Sequence, residues 1–182
     1  GAAFSYLTYL RQSSQGQQTT VAARQAYLRG VEAVKNRDWN RARTQFEKTR
    51  KLNPQLEGLQ AQLERLAMEK KAKQSLQKAR RALENDTPER AVQQAKSIPR
   101  ESVYYEDARE ILRRQRRRQR IASLHEKAEQ QYGTDAHQEA LATIQRILSI
   151  VPNHEGALAL RRKVLTETEV DLSSVPGGPE TQ

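Results

Sequence analysis

Apolar residues in this chain recur every three or four positions, which is the spacing of one face of an α-helix. No segment alternates apolar and polar residues as a half-buried strand does, so we predict an all-α fold. Within residues 55–84 the apolar stripe passes from one helix face to roughly the opposite face, at about 100° per residue. Its first part is Leu56, Leu59, Leu63 and Leu66, and its second part is Ala72, Leu76, Ala79 and Leu83.

A similar change of face occurs in residues 103–132, and it predicts how both segments pack. Each segment is expected to be one long helix that bridges two helical hairpins. Its first half packs backward along the chain and its second half packs forward. A kink near Met68 or Gln119 is the alternative. A further helix over residues 153–169 is expected to close the array.

A shift of 49 residues superimposes the sequence on itself twice, as in repeat proteins. The matched positions are small or apolar: Gly30, Ala79 and Ala128; Ala42, Ala91 and Ala140; Phe46, Ala95 and Ile144. The same shift aligns residues that are expected to cap helices. They are Asp38, Thr87 and Thr134-Asp135 before one helix, and Asn53, Ser102 and Asn153 before the next. Glu57, Glu106 and Glu155 follow, and we expect them in first turns, where a carboxylate complements the helix dipole.

Three 34-residue windows at this period, 23–56, 72–105 and 121–154, resemble the tetratricopeptide repeat (TPR). The first has Gly30 at the small position of helix A, Ala42 and Phe46 on helix B, and the closing proline Pro54. The third has Ala128, Ala140, Ile144 and Pro152 there; the second has Ala79, Ala91 and Ala95, but Val103 instead of proline. The windows cover 102 of 182 residues. The resemblance implies a TPR-like helical-repeat solenoid, with inserts at 57–71 and 106–120 that lengthen it into bridging helices.

The two ends of the chain are predicted to lie outside the repeat domain, which we place at 21–169. Residues 1–20 comprise an apolar start and a polar linker from Ser13 to Thr20, and residues 170–182 form a disordered tail. The apolar start is either the end of a transmembrane helix, with Tyr6 and Tyr9 in the interfacial belt, or a turn that docks on the first hairpin. A membrane tether would favour the cytoplasmic side, because residues 1–120 are basic. A periplasmic location is the alternative, since bacterial TPR proteins are common there.

Composition supports long helices and argues against an enzyme. Ala, Glu, Lys, Leu and Arg supply 89 of the 182 residues, and cysteine is absent. His125 and Glu129 lie four residues apart on one helix face, but no second pair of ligands faces them. No nucleophile, base and orienting residue can be assembled either. We therefore predict no catalytic residues, no metal and no cofactor.

The net charge of +10 is spread unevenly, with +5 in residues 1–64, +9 in residues 65–120 and −4 in residues 121–182, and the middle part contains a conspicuous run of arginines. The run is Arg113, Arg114, Arg116, Arg117, Arg118 and Arg120, and on a helix it covers an arc of roughly 200°. Gln115 and Gln119 fall on the other side, which is expected to pack. The arginines would suit an acidic protein surface or, as the alternative function, nucleic acid or an anionic membrane. A solvated structural face is equally compatible. Nucleic acid is the less favoured ligand, because stacking aromatics and a base-reading motif are missing nearby.

The resemblance to TPR proteins also implies a partner-binding groove along the A helices. Carried over position by position, its residues are Arg24, Tyr27 and Val31 in the first repeat, and Lys73, Leu76 and Arg80 in the second. The asparagines with which some TPR proteins clamp a terminal carboxylate are missing. Ordinary packing between repeats is the alternative role of the apolar members. Together these features predict a non-catalytic scaffold or adaptor that binds a protein partner, which is acidic if the arginines take part.

Overall fold

The computed structural model describes the backbone of residues 2–173 and the side chains of residues 2–168. Within that part of the chain there are seven helices and no strand, so the all-α prediction is confirmed. The helices are α1 Ala2–Lys35, α2 Trp39–Leu52, α3 Leu59–Glu84, α4 Pro88–Lys96, α5 Tyr105–Gly133, α6 His137–Ile150 and α7 Glu155–Ser173. They form two compact units, one ending at Ile111 and the other beginning at Leu112.

Three helix ends repeat at the interval that the sequence predicts. Arg37, Asp86 and Asp135 are each 49 residues apart, and all three adopt a left-handed backbone conformation with φ between 51° and 59°. After α1, the amide of Arg37 donates to the carbonyl of Val34, and the amide of Asp38 donates to that of Ala33. The same two bonds recur after α3 and α5. They satisfy the last carbonyls of each helix and reverse the chain, as in the Schellman motif.

The first core is built where α1 and α2 cross. Phe46 is completely buried there, together with Ala42, Trp39, Val34 and other apolar residues. A Cβ atom added to Gly30 would lie 2.5 Å from Cε1 of Phe46, so the helices approach more closely than a side chain would allow. Full burial of an aromatic ring of this size stabilises a fold by about 1.5–3 kcal/mol. The small residue and the large ring therefore define this crossing.

The long helix α3 changes its packing partner along its length, as the stripe predicts. Leu59 and Leu66 in its first half belong to the first core. In the second half, Ala72, Leu76, Ala79 and Ala82 are buried, and this helix packs against both α2 and α4. Ala82 is buried where Leu83 was expected, and Leu83 is only half-buried. The helix is continuous through Met68, as α5 is through Gln119.

A buried carboxylate that the sequence pattern did not reveal connects α3 to the segment before α5. Glu69 is completely buried, so its carboxyl group lies in the protein interior. The hydroxyl of Ser102 donates to its Oε2 at 2.7 Å, and the amide of Val103 donates to its Oε1 at 3.1 Å. Charge-assisted bonds of this kind offset much of the cost of removing a carboxylate from water. Glu69 thereby fixes the path of residues 102–103.

The second unit has its own core, formed by the rest of α5 with α6 and α7. Ala128, Ala140, Ile144, Ile147 and Val164 are completely buried in it. The helix α7 begins with a histidine cap, because Nδ1 of His154 accepts from the amide of Ala157 at 3.0 Å. The predicted cap residue, Asn153, precedes it and has no recorded capping bond within the described residues.

Several predicted helix starts differ from the structure. Asp38 caps α2 as expected, by accepting from the amide of Arg41. The Thr87 hydroxyl instead donates to the carbonyl of Ala82, because that residue closes the preceding turn. The helix α6 follows Ala136, since Asp135 occupies the left-handed position of the turn. Glu57 lies before the first turn of α3, which Gly58 precedes, whereas Glu106 and Glu155 lie in first turns as predicted.

Both ends of the chain also differ from the prediction. The expected linker from Ser13 to Thr20 is helical and contains no proline that would interrupt the helix. The hydroxyls of Ser13, Thr19 and Thr20 donate to backbone carbonyls one turn back. The apolar start does not dock on the first hairpin, because Phe4 is 79% exposed. None of the described helices is both long and apolar enough to cross a bilayer. At the other end, residues 170–173 are helical, and the rest of the predicted tail lies outside the described residues.

Candidate binding surfaces

The arginine run lies on α5, and its side chains are exposed. These residues are Arg113, Arg114, Arg116, Arg117, Arg118 and Arg120. Of the two glutamines expected on the packed side, Gln115 is buried but Gln119 is exposed, so the packed stripe is narrower than predicted. Within the described part of the chain, no ion pair involves Arg116, Arg118 or Arg120. These three cations are therefore presented to solvent.

One member of the run has a structural contact. Nη2 of Arg117 donates to the backbone carbonyl of Ile150 at 2.9 Å. Ile150 is the last residue of α6, where carbonyls lack partners within the helix and the dipole attracts a cation. Arg117 thus caps α6, and its charge cannot be assigned to partner binding alone.

The residues assigned to the groove by the TPR resemblance differ in how exposed they are in the structure. Leu76 is only 3% exposed, so it is a packing residue and the assignment to partner binding is wrong for it. Val31 is half-buried against the first core. Arg80 is exposed and pairs with Asp107 at 3.3 Å. An ion pair this exposed stabilises a protein by less than about 1 kcal/mol. The guanidinium of Arg80 is therefore accessible and only weakly held by Asp107.

Arg24 and Tyr27 are brought together in a cleft of about 400 Å³, which we call the α1 cleft. Its other lining residues are Thr20, Leu28, Asn53, Gln55, Leu56 and Glu57. Tyr27 packs its ring 5.9 Å from that of Phe46 and directs its hydroxyl to Gly58. Gly58 adopts φ +85°, and a Cβ there would lie 2.6 Å from the tyrosine oxygen. The cleft therefore combines an exposed cation with an aromatic edge that is fixed by the core.

A second recess, which we call the basic cleft, lies between the start of α2 and the middle of α3 and measures about 340 Å³. Four cations line it: Arg37, Arg43, Lys70 and Lys73. Only Lys73 was predicted, because the others come from a turn and from faces that the TPR groove does not use. Their clustering follows from the packing of α2 on α3, which a sequence pattern does not specify. A third recess of about 370 Å³ between α3 and α4 is lined by Lys78, Arg81 and Arg90.

The titratable side chains of the second unit form two small clusters. His125 lies near His154, with ring centroids 5.5 Å apart, and 3.7 Å from Glu129. Glu167 accepts from the hydroxyl of Tyr132 and lies 3.6 Å from Nε2 of His137. The hydrogen bond to Glu167 is the main reason why the pKa of Tyr132 lies above its ordinary value. Among the described residues, no group of three or more acidic, histidine or cysteine ligands is arranged to hold a metal ion.

Comparison with known proteins gives no relative for this chain. No family model matches it, and neither a curated protein nor a solved structure matches it. The resemblance to the TPR therefore depends on the chain's own repeated positions.

Proposed function

We propose that this chain is a non-catalytic, TPR-type interaction scaffold that binds a protein partner. One observation carries the proposal: equivalent positions of the repeats keep the same small or apolar core residues, while cations collect in solvent-facing recesses. Gly30, Ala79 and Ala128 are all buried at the helix crossings. Arg24, Lys73 and the exposed arginines of α5, by contrast, are not needed for that packing. Helical repeats present extended surface of this kind and bind other proteins with it.

The chemistry of the exposed surface favours an acidic protein partner. Arg24, Tyr27 and Lys73 line clefts that offer cations beside apolar groups, a combination suited to a peptide with acidic and apolar side chains. Leu76 is buried and Val31 packs against the first core, so neither is among the lining residues of these clefts. Long-range attraction by the basic surface would also accelerate association with such a partner.

A capture experiment with the intact chain tests the scaffold proposal. The chain is immobilised, incubated with lysate at low and at moderate salt, and the retained proteins are identified by mass spectrometry. We expect a small set of proteins to be retained at moderate salt, because a cleft excludes water and ions from part of the contact. Retention that disappears entirely at moderate salt, with nucleic acid as the main species recovered, would contradict the proposal.

The alternative function is binding of nucleic acid or an anionic membrane through the arginine run. The specific observation in its favour is the exposure of Arg116, Arg118 and Arg120 without ion pairs among the described residues. Binding of this kind weakens steeply with salt, since it depends on release of counterions. Titration with duplex DNA and with vesicles of anionic lipid, each at two salt concentrations, separates this alternative from a protein ligand.

For location we propose the cytoplasm, with a tether to a membrane complex, and the periplasm as the alternative. The proposal is supported by the apolar start of α1, where Phe4, Leu7 and Leu10 are exposed. Fractionation of cells that express the full-length protein tests it. Recovery of the whole pool without membranes would contradict the tether.

A further inference from the structure

The basic cleft has the composition of a built binding site rather than of a random charged surface. Its floor is apolar, because Trp39 and Leu66 lie there and are 8% and 7% exposed. Above the floor stand four cations, Arg37, Arg43, Lys70 and Lys73. The rest of the lining consists of one carboxylate, Asp38, and three neutral amides: Asn40, Gln74 and Gln77. Such a recess offers an apolar contact, ion pairs and amide hydrogen bonds within one small volume.

The cations of this cleft occupy positions at which the matching turns and helices of the chain carry other residues. Shifting Arg37 by 49 and by 98 residues leads to Asp86 and Asp135, which adopt the same left-handed conformation in the same kind of turn. The corresponding shifts replace the other cations by residues without positive charge: Arg43 by Val92 and Leu141, Lys70 by Gln119 and Thr168, and Lys73 by Ala122 and Asp171. Equivalent turns and helices of this chain therefore form with or without a cation at these positions. The cations of the cleft are thus available to bind a ligand.

The positive charge is also poorly neutralised within the cleft. Asp38 is the one carboxylate in the lining, and it already accepts the amide hydrogen of Arg41. Arg43 pairs with Glu47 at 3.1 Å, but both side chains are largely exposed, so the pair is weak. Among the described residues, Lys70 and Lys73 form no ion pair. Like charges gathered in one recess repel each other, and an anionic ligand would relieve that repulsion.

The surroundings of the cations indicate what the anion belongs to. Nucleic-acid bases need exposed aromatic faces to stack on, whereas the only aromatic ring in the lining, Trp39, is nearly buried and donates its Nε1–H to Tyr104. Side-chain amides and an apolar floor match the backbone and side chains of a peptide. The recess lined by Lys78, Arg81 and Arg90 is also basic, but Ala82 is its only apolar residue. A peptide anchor would find little to bury there.

We propose that the basic cleft binds an acidic peptide segment of a protein partner, with an apolar side chain on the floor and flanking carboxylates on the four cations. The inference rests on the scaffold function proposed above and assigns a site and a ligand chemistry to it. Arg43, Lys70 and Lys73 supply the ion pairs from the two helices, and Arg37 supplies one from the turn. Because charge–charge attraction contributes, binding should weaken with salt but depend on these particular cations.

Fluorescence anisotropy with a defined probe tests this site in the full chain. The probe is a short fluorescein-labelled peptide of Glu and Leu, and its control is the same peptide with Gln for Glu. We expect the acidic peptide to bind and the variant Arg43→Gln/Lys70→Gln/Lys73→Gln to bind it at least about tenfold more weakly, or 1.4 kcal/mol. A control variant removes the same number of charges from the recess between α3 and α4: Lys78→Gln/Arg81→Gln/Arg90→Gln. It should stay within about twofold of the unmodified chain, because these cations line a different recess and form no ion pair with a peptide in the basic cleft. Matching thermal melts establish that both variants fold.

Three results would overturn the inference. The first is unchanged binding by the cleft variant, and the second is an equal loss in the cleft variant and the control variant. The third is a single-stranded oligonucleotide that outcompetes the peptide and depends on the same cleft. The capture experiment with the unmodified chain tests the scaffold function separately. A partner retained equally well with and without the cleft cations would exclude this site while leaving the scaffold proposal intact.

Discussion

The hairpin of α1 and α2 and the hairpin of α5 and α6 each have their own core. Small and large residues occupy equivalent positions in the two cores, but the residues around the cores differ. Residues 98 apart occupy matching places, and both members of each pair are buried. The pairs are Gly30 and Ala128, Ala42 and Ala140, and Phe46 and Ile144. One crossing thus pairs a glycine with an aromatic ring, and the other pairs an alanine with an isoleucine. The total volume at the crossing is kept, while its division between the two helices changes.

Outside the interior, the matching positions carry different chemistry. Tyr27 directs its hydroxyl at Gly58 in one hairpin, and His125 approaches Gly156 in the other. Trp39 is matched by His137; the first donates to Tyr104, and the second stacks on Tyr132. The 49-residue spacing therefore recurs in the turns and the buried positions, while the side chains around them, which form the rim of each hairpin, differ. The rim of the first hairpin carries cations, and that of the last carries histidines and carboxylates.

The largest effect is expected from filling the closest helix crossing. Gly30→Leu should lower the free energy of unfolding by more than about 3 kcal/mol, because even a Cβ would overlap Phe46. Urea denaturation followed by circular dichroism measures the loss. The control is Gly16→Ala on the same helix, where nothing lies within 4 Å, and it should stabilise by up to about 1 kcal/mol. An unfolding midpoint for Gly30→Leu equal to that of the unmodified chain would show that the crossing is not tight.

A second test contrasts the two glutamates that the repeat places 98 residues apart, Glu69 and Glu167. Glu69→Ala should cost about 2–3 kcal/mol, since it leaves the Ser102 hydroxyl and the Val103 amide without their acceptor in a buried place. Glu167→Ala should cost less than about 1 kcal/mol, because that side chain is 49% exposed and its partners can turn to water. Denaturation curves of both variants measure the difference. Equal losses would mean that burial does not distinguish the two carboxylates.

The core of this molecule could largely be predicted from its sequence, whereas most contacts of the rim could not. Helix positions, the two long helices and the buried alanines follow from spacing and residue size, which are local properties of the sequence. The role of Glu69 could not be predicted, because its partner lies 33 residues away and its own neighbours are typical of an exposed helix. The basic cleft was missed for a similar reason, since Arg37 and Lys70 meet only after α2 packs on α3. Leu76 was misassigned because a groove residue and a packing residue look alike in a pattern.

The arginine run allows a finer test of which charges belong to the fold. Arg117→Gln should lower stability by about 1 kcal/mol, because it removes the donor to Ile150 at the end of α6. Arg118→Gln, its exposed neighbour, should change stability by less than about 0.5 kcal/mol. Replacing all six arginines lowers the net charge from +10 to +4, and we expect the fold to stay intact. Replacing only Arg116, Arg118 and Arg120 should cost less stability than Arg117→Gln, because no ion pair involves these three among the described residues. Thermal melts measure all four variants, and a larger loss for the triple variant than for Arg117→Gln would contradict the assignment.

The same six-arginine replacement separates structure from binding. If the exposed arginines attract an acidic partner, affinity and association rate should fall, and the loss should shrink as salt is added. A variant that replaces only Arg116, Arg118 and Arg120 should lose part of that affinity with little change in stability. Unchanged affinity at low salt for a captured partner would show that the run is a solvated face.

The smallest effect concerns the rim of the last hairpin and appears only at high pH. The neutral Tyr132 donates to Glu167, and its pKa lies above the ordinary value of 10.0 because of this bond, burial and the negative charges of Glu167 and Asp135. Since the folded state holds the proton more tightly, the stabilisation is complete below pH 10 and is lost as pH rises through the raised pKa. The signal of Tyr132 is the difference in phenolate absorbance between the unmodified chain and Tyr132→Phe. This difference should titrate above pH 10. Glu167→Gln should move that titration down, while Glu47→Gln in the first hairpin should not. A titration of Tyr132 at its ordinary value in the unmodified chain would show that the contact with Glu167 is absent in solution.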